Sequence, residues 1–186
     1  MKQRKIIVIR GKVTAGKTTT SHELAKVLPG WIFIDPWKIK EMFEPLELKN
    51  RTSLKNASKK AMLVIMKEVI RNLEINIIVQ ETTVKYIKKY LGKDLKKHNY
   101  KIYSFFLDID FKSAIKRDIQ REKPTMGLSK FKTEEEFSKK KAKPHRGDLA
   151  IDTSKHSIKE VVKQILNEVG ERKGKHPRAD WIRRCW

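Results

Sequence analysis

RGKVTAGKTTTS, residues 10–21, lies between the apolar run KIIVI and the segment HELAKVL. Residues 11–18 fit G-x-x-x-x-G-K-[ST] without a mismatch. At ordinary residue frequencies a chance match in such a chain is on the order of one in a hundred. The flanks narrow this further, because the motif carries its mechanism only between a strand and a helix, and both patterns are present. Gly11 and Gly16 let the backbone of Val13, Thr14 and Ala15 curl so that successive N–H groups face an anion. The helix opening at Lys17, Thr18 and Thr19 adds its dipole. Lys17 is then placed for the β- and γ-phosphates of a nucleoside triphosphate, ATP or GTP, and the Thr18 hydroxyl for Mg²⁺.

Outward from this stretch, short runs rich in β-branched and aromatic residues recur at 5–10, 31–34, 75–80, 100–107 and 149–151. Continuous apolar runs of this kind suit strands buried on both faces of a parallel sheet. Helical spacing fills the intervals at 17–28, 53–73, 84–98, 111–121 and 158–169. In the longest, Leu54, Ala57, Ala61, Val64, Ile65 and Val69 follow the helical period, with Glu68 as one polar exception. The last helix begins with the capping box Ser157-x-x-Glu160 and stops at Gly170. The alternation predicts an α/β fold, three layers around a five-stranded parallel sheet. The polar, Lys-rich segment 122–148 breaks the pattern and holds one short helix starting at Thr133.

The chain has 186 residues, which favours one domain, expected over 1–170, with a basic tail at 171–186 carrying Trp181 and Trp186. Lys and Arg number 44 against 22 Asp and Glu, a net +22. Such an excess attracts polyanions: nucleic acid, phosphorylated metabolites or anionic membranes. A heat-adapted surface would raise Glu along with Lys, and here only the positive side is high. Cys185 is the single cysteine, so no intrachain disulfide or cysteine zinc cluster forms, which fits a reducing, cytoplasmic setting. The apolar run at the N-terminus is too short for a signal peptide, and no stretch reaches membrane-spanning length.

Asp35 ends the second predicted strand, in WIFIDPWKIKEMF. A parallel strand delivers its C-terminal residue to the same sheet edge as the phosphate loop, where a carboxylate can orient and deprotonate a nucleophile. The same Asp-Pro pair also suits the opening of a helix, and the two roles are compatible. The third strand runs into Gln80, Glu81 and Thr82, where Glu81 either holds a magnesium-bound water, orients an acceptor, or caps the helix at Val84. Arg117 and Arg121 stand at i, i+4 on one helix face after the acidic turn at the end of the fourth strand. That face is either functional or simply solvated.

This order of loop, strand-end acid, polar third strand and paired arginines resembles the small P-loop kinases, over about residues 5–169. Phage-type polynucleotide 5′-hydroxyl kinases and seryl-tRNA kinases look most similar. The resemblance implies γ-phosphoryl transfer to a hydroxyl, with Asp35 taking its proton and Lys38 beside the acceptor. It implies that Arg121 and Arg117 lead into a lid over 122–148, and that Thr153 and Ser154 lie near the base. It further implies an acceptor on RNA or another nucleic acid, in agreement with the +22 charge. Two other readings remain: a kinase for a small metabolite or nucleotide, and a regulatory module gated by nucleotide. The tail either contacts RNA, docks on the domain, or is a disordered end.

Overall fold

The computed structural model describes residues 3–42, 51–120, 133–139 and 143–171. Five strands, β1 (Arg4–Gly11), β2 (Ile32–Ile34), β3 (Ile77–Gln80), β4 (Tyr100–Asp108) and β5 (Asp148–Asp152), form one sheet in the order β2-β3-β1-β4-β5. Every neighbouring pair is parallel. Seven helices accompany them among the described residues: α1 (Lys17–Val27), α2 (Pro36–Glu41), α3 (Arg51–Glu68), α4 (Val84–Lys97), α5 (Phe111–Ile119), α6 (Glu134–Lys139) and α7 (Ile158–Val169).

The period-2 alternation of β1 separates two cores. Ile7 and Ile9 join Leu24 of α1, Phe105 and Leu107 of β4, and Val161 and Ile165 of α7 on one face. Ile6 and Val8 join Met62 and Met66 of α3 and Ile87 and Leu91 of α4 on the other. Helices therefore cover both faces, as near-continuous apolar strands require. The expected three-layer architecture with a five-stranded parallel sheet is present.

Residue-level packing departs from the sequence expectation in α3. Ala57, Val64 and Ile65 are exposed, Val64 by 60 %. The buried stripe runs through Leu54, Ser58, Met62, Leu63, Met66 and Val69. The run AMLVIM is apolar all round, so its periodicity fits two faces, and the long methionines fill the space over β1 and β3. The helix ends as a π-helical turn at Val69–Leu73, with Glu74 left-handed at φ 51°. At α7 the capping box forms as read: Ser157 N–H donates to Glu160 at 2.7 Å, and Gly170 closes the helix at φ 69°.

The strand order reverses direction at β1, which lies between β3 and β4, so the C-terminal end of β1 is the topological switch point. Because the strands are parallel, residues following each of them collect at that one edge. Gly11 marks the tightest approach there. It pairs with Leu107, has φ 144°, and a Cβ on it would lie 2.2 Å from the Leu107 carbonyl oxygen. Gly11→Ala should therefore destabilise the fold by about 3 kcal/mol, combining a forced left-handed φ with backbone overlap. Urea unfolding of the purified variant checks this.

Candidate active site

Residues 11–18 leave β1 and enter α1 through Gly16, which is left-handed at φ 85° and supplies no side-chain cap. The contrast with the other helices is informative. Asp35, Thr83, Asp110 and Ser157 each accept a backbone N–H at the start of α2, α4, α5 and α7. The orphan N–H groups of α1 are the natural partners of an anion. A cavity of about 300 Å³ opens over them, lined by Val13, Thr14, Gly16, Lys17, Thr18, Thr19, Trp37 and Glu81. Ala15 is fully buried beneath.

Lys17 is held above the loop, donating to the Gly11 carbonyl at 3.1 Å and the Lys12 carbonyl at 2.8 Å. Its ammonium pairs with the Glu81 carboxylate at 3.2 Å. Glu81 takes a left-handed φ of 58°, which turns the chain out of β3 at the edge where the loop lies. The capping reading of Glu81 is a correction: Thr83 caps α4, accepting from Tyr86 N–H at 3.1 Å. Thr18 and Glu81 offer hard oxygen donors in one cavity, which fits a divalent cation such as Mg²⁺ that takes its remaining ligands from phosphates and water.

Asp35 directly follows β2 and plays the helix-opening role expected of it, accepting from Trp37 N–H at 2.9 Å. The same Oδ1 accepts from Gln80 Nε2 at 2.7 Å. Gln80 is fully buried at the end of β3, and its Oε1 has no partner among the described residues. The buried hydroxyls of Thr14 and Thr82 are likewise unpartnered there. One carboxylate oxygen of Asp35 is thus fixed twice, between the two residues that flank the cavity, Trp37 and the neighbour of Glu81.

The remaining expected residues lie elsewhere. Lys38 is 71 % exposed and pairs with Glu41 at 2.7 Å, and that bond raises its pKa. It does not line the cavity. Trp37, its neighbour, does; it is half exposed, with the Lys40 ammonium 5.2 Å from its ring centroid. Arg117 bonds both the hydroxyl (3.1 Å) and the carbonyl oxygen of Thr153. Thr153 in turn is buried and donates its N–H and its hydroxyl to the Asp108 carbonyl, each at 2.9 Å. Arg117 is therefore a strut between α5 and the end of β5, and Thr153 has its hydrogen bonds occupied. Arg121 and the tail from 172 lie outside the described residues.

Ser154 lines a second cavity of about 520 Å³, with Lys12, Asp108, Asp110, Glu134, Asp152 and Lys155 among its walls. Lys12 pairs with Asp108 at 2.6 Å and lies over the Phe137 ring of α6. Phe137 is buried against Phe111, so this part of the expected lid is anchored to the body. Asp110 caps α5, and the Ser113 backbone N–H, then its hydroxyl, hold the Asp110 carboxyl down at about 2. A lowered carboxyl stabilises the fold fully above its ordinary value of 3.8 and loses that contribution as pH falls through about 2. Asp110→Ala should cost about 1 kcal/mol at neutral pH, and the difference from the parent should vanish across that acid window. Urea titrations at pH 7, 4 and 2 measure both.

Trp37 and Gln80 were not singled out by the sequence. A tryptophan after Asp-Pro reads equally as core, and a glutamine ending a strand reads as a surface residue. Only the sheet order, which sets β3 beside β2, brings Gln80 to Asp35.

No family model matches the sequence, and no curated protein matches it. Solved structures do. The tunicamycin resistance protein of Deinococcus radiodurans is 20 % identical, at a TM-score of 0.65, over 93 % of this chain and 99 % of that one. The Mycobacterium tuberculosis APS kinase CysC, in complex with AMPPNP and APS, is 12 % identical at a TM-score of 0.63, covering 92 % of this chain and 100 % of that chain. A chain of the Pnkp1/Rnl/Hen1 RNA repair complex is 14 % identical at 0.55, covering 75 % of this chain and 43 % of its own length. No helix among the described residues is long and apolar enough to cross a membrane. The sheet order, the phosphate loop at its switch point and these likenesses agree: the chain has the fold of the small P-loop kinases.

Proposed function

We propose that the protein is a kinase that transfers the γ-phosphoryl group of ATP or GTP to a hydroxyl, most fittingly one carried by RNA or another nucleic acid. The observation that carries the reading is the juxtaposition of an uncapped anion cradle with a twice-braced carboxylate at one sheet edge. The loop N–H groups and Lys17 bind the phosphates, and Lys17 meets the charge that develops as the bond to the leaving oxygen breaks. Asp35 keeps Oδ2 for the acceptor hydroxyl, orients it, and takes its proton as the oxygen attacks phosphorus. Gln80 and the Trp37 N–H hold Asp35 in that pose. Thr18 and Glu81 would hold Mg²⁺, which when bound neutralises phosphate charge. Arg121, which leads into the segment expected to form a lid, is retained as a candidate for the transferring group.

Nucleic acid is favoured as acceptor by the +22 charge and by the likeness to a chain of an RNA repair complex. A small hydroxylated metabolite is the second reading, favoured by the modest cavity and its Trp37 wall. The test is a γ-³²P-ATP screen across RNA with 5′-hydroxyl ends, tRNA, nucleotides and hydroxylated metabolites. Label on RNA is the expected result. Turnover on a metabolite with no labelled RNA would overturn the nucleic-acid reading and leave the kinase reading standing.

A further inference from the structure

The charge of this chain is not spread evenly over its described surface. On α1 Lys26 pairs with Glu23, on α2 Lys38 pairs with Glu41, and α7 mixes Lys159 and Lys163 with Glu160 and Glu168. Helix α4 differs. Lys85, Lys88, Lys89, Lys93, Lys96 and Lys97 are all exposed, and among the described residues none of them forms an ion pair. Its one acid, Asp94, is buried and held by Arg71 at 2.8 Å. The opposite face, through Ile87, Leu91 and Leu95, is committed to the core.

Position gives the charge a direction. Helix α4 starts three residues after Glu81, so Lys85 lies at the sheet edge that holds the phosphate loop. Lys85, Lys89, Lys93 and Lys96 then follow at steps of four, four and three, a stripe along one side of the helix. Successive members are about 4.5–6 Å apart along the axis, close enough to meet consecutive phosphates of an extended strand. Among these lysines stands Tyr90, 52 % exposed, with the Lys89 ammonium 5.4 Å from its ring centroid and Tyr86 against its edge. An exposed ring within a row of cations is the combination that grips single strands: charge for the backbone, a flat face for a base.

We propose that the outer face of α4 is a binding track for single-stranded RNA, leading from the sheet edge away along the helix. This rests on the nucleic-acid reading of the acceptor. Charge complementarity with an unopposed row of lysines identifies the occupant, and Tyr90 distinguishes it from a featureless anionic surface.

The experiment compares the full chain with a variant in which Lys85, Lys89, Lys93 and Lys96 become Gln. A charge-matched control changes Lys55, Lys60, Lys159 and Lys163 to Gln. Affinity for a fluorescent single-stranded RNA of fifteen nucleotides with a 5′-hydroxyl is measured from 50 to 300 mM NaCl. The track predicts that the slope of log affinity against log salt falls by about 3 in the α4 variant, at about 0.7 for each phosphate no longer neutralised. The control should change much less, and Tyr90→Ala should weaken binding about fivefold to a hundredfold. Nucleotide affinity, followed by mant-ATP fluorescence, should be the same in all four proteins.

Equal losses in the α4 variant and the control would overturn the track in favour of diffuse charge. An α4 variant that binds RNA normally but loses binding to phosphatidylserine vesicles would overturn it in favour of a membrane surface. If the parent neither binds nor labels RNA, the acceptor reading itself fails. If the parent labels RNA and the α4 variant does so with unchanged affinity, only the track fails.

Discussion

Asp35→Asn should lower phosphoryl transfer by about 10²–10⁴-fold while leaving nucleotide affinity nearly intact. The substitution is a clean probe because asparagine caps a helix about as well as aspartate. Its Oδ1 can still accept from Gln80 and Trp37, so α2 should keep its start and the fold its stability. What the amide lacks is the ability to take a proton from the acceptor. Initial rates with the acceptor found in the screen, alongside calorimetric titration of the nucleotide, separate these effects. Unchanged transfer would remove Asp35 as the base. Gln80→Leu tests the brace behind it: transfer should fall about tenfold or more with Asp35 untouched, because a carboxylate free to turn loses orientation.

Lys17→Ala should cost about 10²–10³-fold in transfer, and here nucleotide affinity should fall as well. The ammonium is fixed by two loop carbonyls and by Glu81, so its position above the cradle is set by the protein. Alanine removes that charge together with its bonds to the two carbonyls and to Glu81. Lys17→Arg should also be poor, since the planar guanidinium does not fit where a compact ammonium donates to the carbonyls of Gly11 and Lys12. Rates and titrations as for Asp35 provide the measurement, and a fully active Lys17→Ala protein would overturn the role of the cradle.

The two substitutions probe parts of the site that were unequally legible in the sequence. The loop announces itself because its demands are local. Gly11 and Gly16 sit at backbone angles that side chains rarely adopt, and the lysine follows at fixed spacing. The centres of strands β1, β3 and β4 were equally plain, since burial on both faces leaves few polar positions to blur the run. Edge strand β5 is less apolar, with Leu149 42 % exposed.

Contacts made only by the tertiary fold were hidden. Gln80 reaches Asp35 across 45 residues of chain, and Arg117 reaches Thr153 across 36. No local pattern encodes such meetings, so Arg117 read as either a functional or a solvated cation, with its bonds to Thr153 out of sight. The α3 face was hidden for a different reason. Its sequence carries two apolar stripes, and only the shape of the sheet beneath selects one.

The bare start of α1 has a consequence for how the protein holds together. Every capped helix here satisfies its first turn from its own chain, whereas α1 leaves that task to a guest. On the proposed function, a bound triphosphate would be a removable piece of secondary structure. Resistance to heat and proteases should track the concentration of the phosphate donor, by about 2.7 kcal/mol at a hundredfold excess over its Kd. Without the donor, the start of α1 would be the softest part of the site.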